Sequence, residues 1–242
     1  MRRLILATLA AGAVLASDPA PMTYRFDEVK SKVLRSPGGD EKSEVRVAVG
    51  DTAAPGDQVQ TGFWARAVVT VPERNARFEL SSSSRVRLAG GEPGLLLSIE
   101  KGRLKAFFEK LTDATSEERR VAAPGAILAV RGTRYGLEVD GSGQAMLAVF
   151  EGTVEVIPTL PGVARVQVHA EEFCTFGPKA SPHTGAMKSM GMSEGTWGMH
   201  NMGTGMTPGP DGKMPGMAPG GQTTPKSGGS MRGGSSLGSG GH

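Results

Sequence analysis

The feature that most constrains this chain is a series of short segments that alternate apolar and polar residues. Val45-Arg46-Val47-Ala48-Val49, Arg77-Phe78-Glu79-Leu80, Arg85-Val86-Arg87-Leu88, Leu137-Glu138-Val139 and Val154-Glu155-Val156 all follow a period of two. Such alternation turns one set of side chains to a core and the other to water. Dense punctuation separates the segments: Pro37-Gly38-Gly39-Asp40, Pro55-Gly56-Asp57, Gly90-Gly91-Glu92-Pro93-Gly94, Pro124-Gly125, Gly141-Ser142-Gly143 and Pro161-Gly162. These residues supply the backbone angles that tight turns need. Short strands at this spacing predict an all-β fold, either a compact antiparallel β-sandwich or a β-helix-like domain. Arg103–Phe108 reads as a strand with Leu104, Ala106 and Phe108 on one face, and Thr112–Arg120 as a polar loop or short helix. The expected core includes Val47, Val49, Val69, Phe78, Leu80, Leu104, Ile127, Val130, Leu137, Leu147 and Val154, with Phe173 and Phe176 fastening the last strand.

The two ends are of different material. Arg2 and Arg3 precede an apolar run from Leu4 to Leu15, and small residues follow up to Ala16. Basic, apolar and small-residue regions in that order predict a signal peptide over residues 1–16, and a mature periplasmic or secreted protein beginning near Ser17. A run this short is a poor membrane span. Lead-in strands are expected over residues 17–44, a β domain over 45–157 and closing strands over 158–180. Residues 181–242 are rich in glycine, proline, serine and methionine, a composition expected to give a disordered tail. Nine of the 12 methionines lie there with His183, His200 and His242, and thioethers are soft ligands suited to Cu(I). A methionine-rich tail that buffers or senses copper is therefore the alternative functional reading; Met187/Met190/Met192 is one spacing a flexible chain can close around an ion.

Charge excludes one large class. The sequence pI is about 9.1, yet residues 18–180 carry 21 basic and 22 acidic side chains with the signs interspersed. No concentrated basic face is available for phosphates, so nucleic acid is not expected as a partner. Chemistry is equally sparse. The one cysteine, Cys174, lies five residues from His169; an odd offset along a strand faces opposite sides, which argues against a nucleophile–base pair. Gly234-Ser235-Ser236-Leu237-Gly238 has the spacing of a nucleophile elbow but no strand before it or helix after it. No metal-binding His-Glu-x-x-His, phosphate loop or dinucleotide fingerprint occurs. The expectation is a protein that is not an enzyme and uses no cofactor.

Several segments resemble a known family in order and spacing. Val49-Gly50-Asp51-Thr52, then Pro55-Gly56-Asp57-Gln58-Val59-Gln60-Thr61-Gly62, then Ala67–Val71 are similar to the opening of a FecR domain. Gly102-Arg103-Leu104, Val121–Ala126, Val130-Arg131-Gly132-Thr133-Arg134-Tyr135 and Val149-Phe150-Glu151-Gly152-Thr153-Val154 continue the likeness over residues 45–157. The resemblance implies structural roles for Gly50, Asp51, Gly56, Asp57, Thr61, Arg131, Gly132, Thr133, Glu151 and Gly152. Gly132 is expected to serve positive φ or a close backbone approach. The resemblance also implies kinship to periplasmic sensors that relay iron–siderophore signals to a sigma factor. Where those sensors carry a sigma-binding segment and a membrane helix, this chain carries the signal-like run; at the third turn their Asp-Gly-Ser is replaced by Pro72–Ala76. The implied function is an envelope binding, signalling or scaffold module for a protein or glycan partner.

Overall fold

A computed structural model describes residues 22–89, 93–110 and 118–197. Among them lie β1 (Tyr24–Lys30), β2 (Val33–Ser36), β3 (Val45–Arg46), β4 (Thr52–Ala53), β5 (Gln58–Thr61), β6 (Arg66–Val71), β7 (Ala76–Leu80), β8 (Arg85–Leu88), β9 (Leu95–Phe108), β10 (Arg119–Ala123), β11 (Ala126–Val130), β12 (Arg134–Val139), β13 (Ala145–Glu151), β14 (Thr153–Pro158), β15 (Val166–His169), β16 (Glu172–Gly177) and β17 (Ala180–Ala186). The rest of the described chain is turns, loops and short 3-10 segments. None of its helices is long and apolar enough to cross a membrane.

The strands form one sheet that curls over on itself into two layers. The first layer runs from β1, which also pairs with β4, through β6, β7, the second half of β9, β12, β13 and β16 to β17. The second runs from β3 through β2, β5, β8, the first half of β9, β10, β11 and β14 to β15. All pairings are antiparallel except β10 on β9. β9 belongs to both layers because it crosses at Gly102, where φ is +97° and a Cβ would collide with Ser84.

Register explains the core. One row across the first layer reads Ala67, Leu80, Leu104, Leu137, Leu147 and Cys174, each opposite the next and all buried. A second reads Val69, Phe78, Ala106, Tyr135 and Val149. Facing them, Leu88, Leu97, Val121, Leu128 and Val156 cross the second layer. Stacked apolar rows between two layers are what period-two sequences build. Leu104, Ala106 and Phe108 share the buried face as expected.

Three expectations need correction. Val49 is 63% exposed, because the strand ends at Arg46 and the chain turns: the Ala48 N–H donates to the Asp51 carboxylate at 2.8 Å, and Gly50 has φ +90°. Ile127 is only half-buried, since Ala126, Leu128 and Val130 take the inward positions of β11. Order also continues past residue 181. β17 pairs with β16 in register, and a 3-10 turn at Met187–Met190 leads to Trp197, which packs on the outer face of β12. There a Cβ on Gly136 would lie 2.3 Å from the indole. Residues 1–21 and 198–242, holding the expected signal peptide and most of the methionine-rich tail, lie outside the described residues.

Candidate functional site

The residues singled out by the family pattern fall into two clusters. In the first, Asp57 is buried where β4, β5 and β8 meet. Its carboxylate accepts the N–H groups of Gly38 at 2.9 Å and Ala54 at 3.1 Å, and pairs with Arg35 at 3.0 Å. Its carbonyl accepts the Leu88 N–H at 2.8 Å, and the Leu88 carbonyl accepts the Gly56 N–H at 2.9 Å. Thr61 is the matching corner piece at the other end of β5. Its hydroxyl donates to the Ser81 carbonyl at 2.5 Å and accepts the Ser84 N–H at 2.9 Å, while the Ser84 hydroxyl bonds Arg103 beside the β9 crossing. These contacts satisfy backbone groups where strands change layers. Asp51 with Gly50 closes the turn already described.

The second cluster sits where β9, β12 and β13 end. Gly132 has φ +79°, and a Cβ there would lie 2.7 Å from the Lys110 Cα. Gly152, at φ +82°, would place a Cβ 2.7 Å from the Gly132 carbonyl oxygen. The two turns press together with no room for side chains between them. Arg131 points to solvent beside them, and Glu151 reaches Lys110 at 3.9 Å and Arg134 at 3.5 Å. Thr133 is buried, with a hydroxyl oxygen that has no hydrogen-bond partner.

Gly132, Thr133 and Glu151 line an open groove of about 730 Å³; Asp57 and Thr61 do not. Its apolar floor includes Phe107, Phe108 and Ala76, and Arg25, Arg77, Lys110 and Arg134 contribute cations against Glu109 and Glu151. The Arg77 guanidinium lies 5.3 Å from the Phe107 ring centre. Beneath the rim, Arg119 is only 2% exposed. It donates to the carbonyls of Arg74, Asn75 and Glu109 at 3.1, 3.4 and 2.7 Å and lies 5.1 Å from the Phe108 ring centre. Burial holds its guanidinium below its ordinary pKa, against the opposing pull of Glu109. Arg119 therefore ties the Pro72–Arg74 turn to the end of β9. Sequence reasoning missed these groove residues, because each is one polar member of an ordinary alternating strand or loop.

Elsewhere the chemistry is quiet. Cys174 is buried in β16, where desolvation pushes its thiol up to about 12. His169 is exposed on β15, its ring 3.1 Å from the Thr153 hydroxyl. Among the described residues no group of three or more His, Cys, Asp or Glu is placed to hold a metal. Met187 and Met192 are buried as apolar side chains, so that part of the proposed copper spacing is not a flexible segment. Gly234–Gly238 lies outside the described residues.

Residues 57–155 match the family model described as FecR protein, so the chain carries a FecR domain. Two solved structures of a candidate anti-sigma factor from Parabacteroides distasonis ATCC 8503 are similar at 16% identity and a TM-score of 0.43. Those matches cover 53% of this chain and 59% of the other, and a likeness of that extent carries no functional argument. No curated protein matches the chain.

Proposed function

We propose that this FecR-domain protein is an exported, non-enzymatic binding module that engages a protein partner in the bacterial envelope. The observation that carries the reading is the groove. It forms at the Arg-Gly-Thr and Glu-Gly turns that mark the family, and its cations stand over an apolar floor. A lining of that kind suits an extended acidic segment bearing an apolar side chain, with charge setting encounter and register. The all-β scaffold holds it rigidly, because Gly132, Gly152 and Arg119 fix its walls by backbone contacts. A signalling or regulatory role agrees with the FecR domain.

The test is charge reversal on the groove. Arg77→Glu with Lys110→Glu should reduce capture of the partner from envelope extracts by about tenfold or more. Both side chains are exposed, so the thermal melt should hardly change. Undiminished capture by the reversed protein would remove the groove from the function.

A further inference from the structure

A second surface stands apart from the groove. The turn that carries the chain from β5 to β6 is Gly62–Ala65, closed by the Ala65 N–H donating to the Gly62 carbonyl at 3.2 Å. Phe63 and Trp64 occupy its tip, 75% and 77% exposed, with ring centroids 5.1 Å apart at 75°. They are the only exposed aromatic side chains among the described residues. Trp64 holds φ +59°, a left-handed conformation that an L-residue adopts at a cost and that glycine or asparagine fills better. Folding alone does not favour tryptophan there.

The base of the tip is firm and its surroundings are cationic. The Gly62 N–H donates to the Lys32 carbonyl at 2.8 Å, and the Ser83 N–H donates to the Gly62 carbonyl at 3.1 Å. Lys30 and Lys32 are exposed and make no ion pair with any described residue. Arg46 donates to the Ser31 carbonyl at 3.5 Å, and Arg66, opposite Lys30 in the sheet, is shared between Glu79 and Glu28.

We infer that the Phe63–Trp64 turn is a membrane-contact tip that seats in the interface of an anionic lipid surface. Size decides against a protein partner at this spot. Two aromatics bury about 150–250 Å² each, whereas a stable protein interface needs roughly 800 Å² from each side. A bilayer interface makes no such demand: it takes amphipathic rings singly, and nearby lysines add attraction to anionic headgroups. The contact would be peripheral.

The experiment uses the full chain with vesicles of phosphatidylglycerol and phosphatidylcholine, against phosphatidylcholine alone, some carrying brominated acyl chains. The apolar run Leu4–Leu15 is common to every variant, so tryptophan emission is the local readout. The protein has two tryptophans, and Trp197 is buried. Anionic vesicles should blue-shift part of the wild-type emission and brominated chains should quench that part, and both effects should vanish in Trp64→Phe. Phe63→Ser with Trp64→Gly should lower anionic-vesicle binding by about tenfold or more while the melting temperature holds or rises. Lys30→Gln and Lys32→Gln should each lower it by about fivefold. Arg77→Glu with Lys110→Glu should leave it intact, separating this surface from the groove. Unquenched Trp64, equal binding to neutral vesicles, vesicle binding unchanged by the tip substitutions, or tip-dependent self-association without lipid would each overturn the inference.

Discussion

Cys174 shows how far a single residue can be read from sequence. Its odd offset from His169 predicts opposite faces of one strand; the structure separates the two differently, on strands of different layers, with the thiol buried in β16 and His169 in water on β15. Burial raises the thiol from 9.0 to about 12. The unfolded chain therefore releases a proton above about pH 9 that the folded chain keeps, and the folded state loses stability as pH rises between those values. The loss from this residue alone is about 1.4 kcal/mol per pH unit. Urea melts at pH 8 and pH 10 should show wild type losing more stability than Cys174→Ala, by roughly that amount; equal losses would place the alkaline sensitivity elsewhere. Arg119 was not legible in the same way. In the sequence it follows Glu117-Glu118 and reads as loop, and only folding brings three carbonyls within its reach. Trp64 is similar: glycine announces a positive φ in sequence, tryptophan does not.

Strands that bury a face were legible as elements, and strands that do not were missed. Arg77-Phe78-Glu79-Leu80 and Arg85-Val86-Arg87-Leu88 became β7 and β8 because alternation is the signature of a half-buried sheet. β17, Ala-Ser-Pro-His-Thr-Gly-Ala, has no such pattern. It is an edge strand held by backbone pairing to β16, where proline and glycine are tolerated. Its order is extended by the residues that follow. Glu194 offers its carbonyl to Lys105 at 3.2 Å and its carboxylate to Arg134 at 3.5 Å, and Trp197 meets Phe150 at 6.1 Å between ring centres. Deleting residues 198–242 should therefore leave the thermal melt nearly unchanged. Deleting 180–242 strips Trp197 from Gly136 and bares β16, and should cost about 3–5 kcal/mol, the scale for losing a large packed aromatic. Identical melts for the two truncations would show that the segment from 180 to 197 adds nothing to the fold.

At the scale of the whole molecule, the groove and the aromatic tip lie at opposite ends of the β1–β6 pair. Arg25 and Thr70 stand at the groove, and Lys30 and Arg66 stand beside the tip. Five residues of strand separate them, about 17 Å. A protein seated by its tip would hold the groove away from the lipid, open to a partner. Export, which residues 1–16 lead one to expect, has its own test. Intact-mass measurement on native protein from an envelope or medium fraction should find a chain beginning near Ser17; a cytosolic protein retaining Met1–Ala16 would contradict export.

β9 has a consequence in time as well as in space. Its neighbours are β7, β8, β10 and β12, so strands from both sides of it in sequence complete the pairing. A chain emerging from its N-terminus cannot complete the pairing of β9 until residue 139 is free, and β9 carries an unmatched edge until then. Topologies dominated by such distant pairings fold slowly, on the millisecond-to-second scale. Slowness of this kind exposes a chain to aggregation in the cytoplasm. In a chain that is exported unfolded, the same slowness keeps the polypeptide threadable until it has crossed the membrane, and closure of the β9 seam follows on the far side.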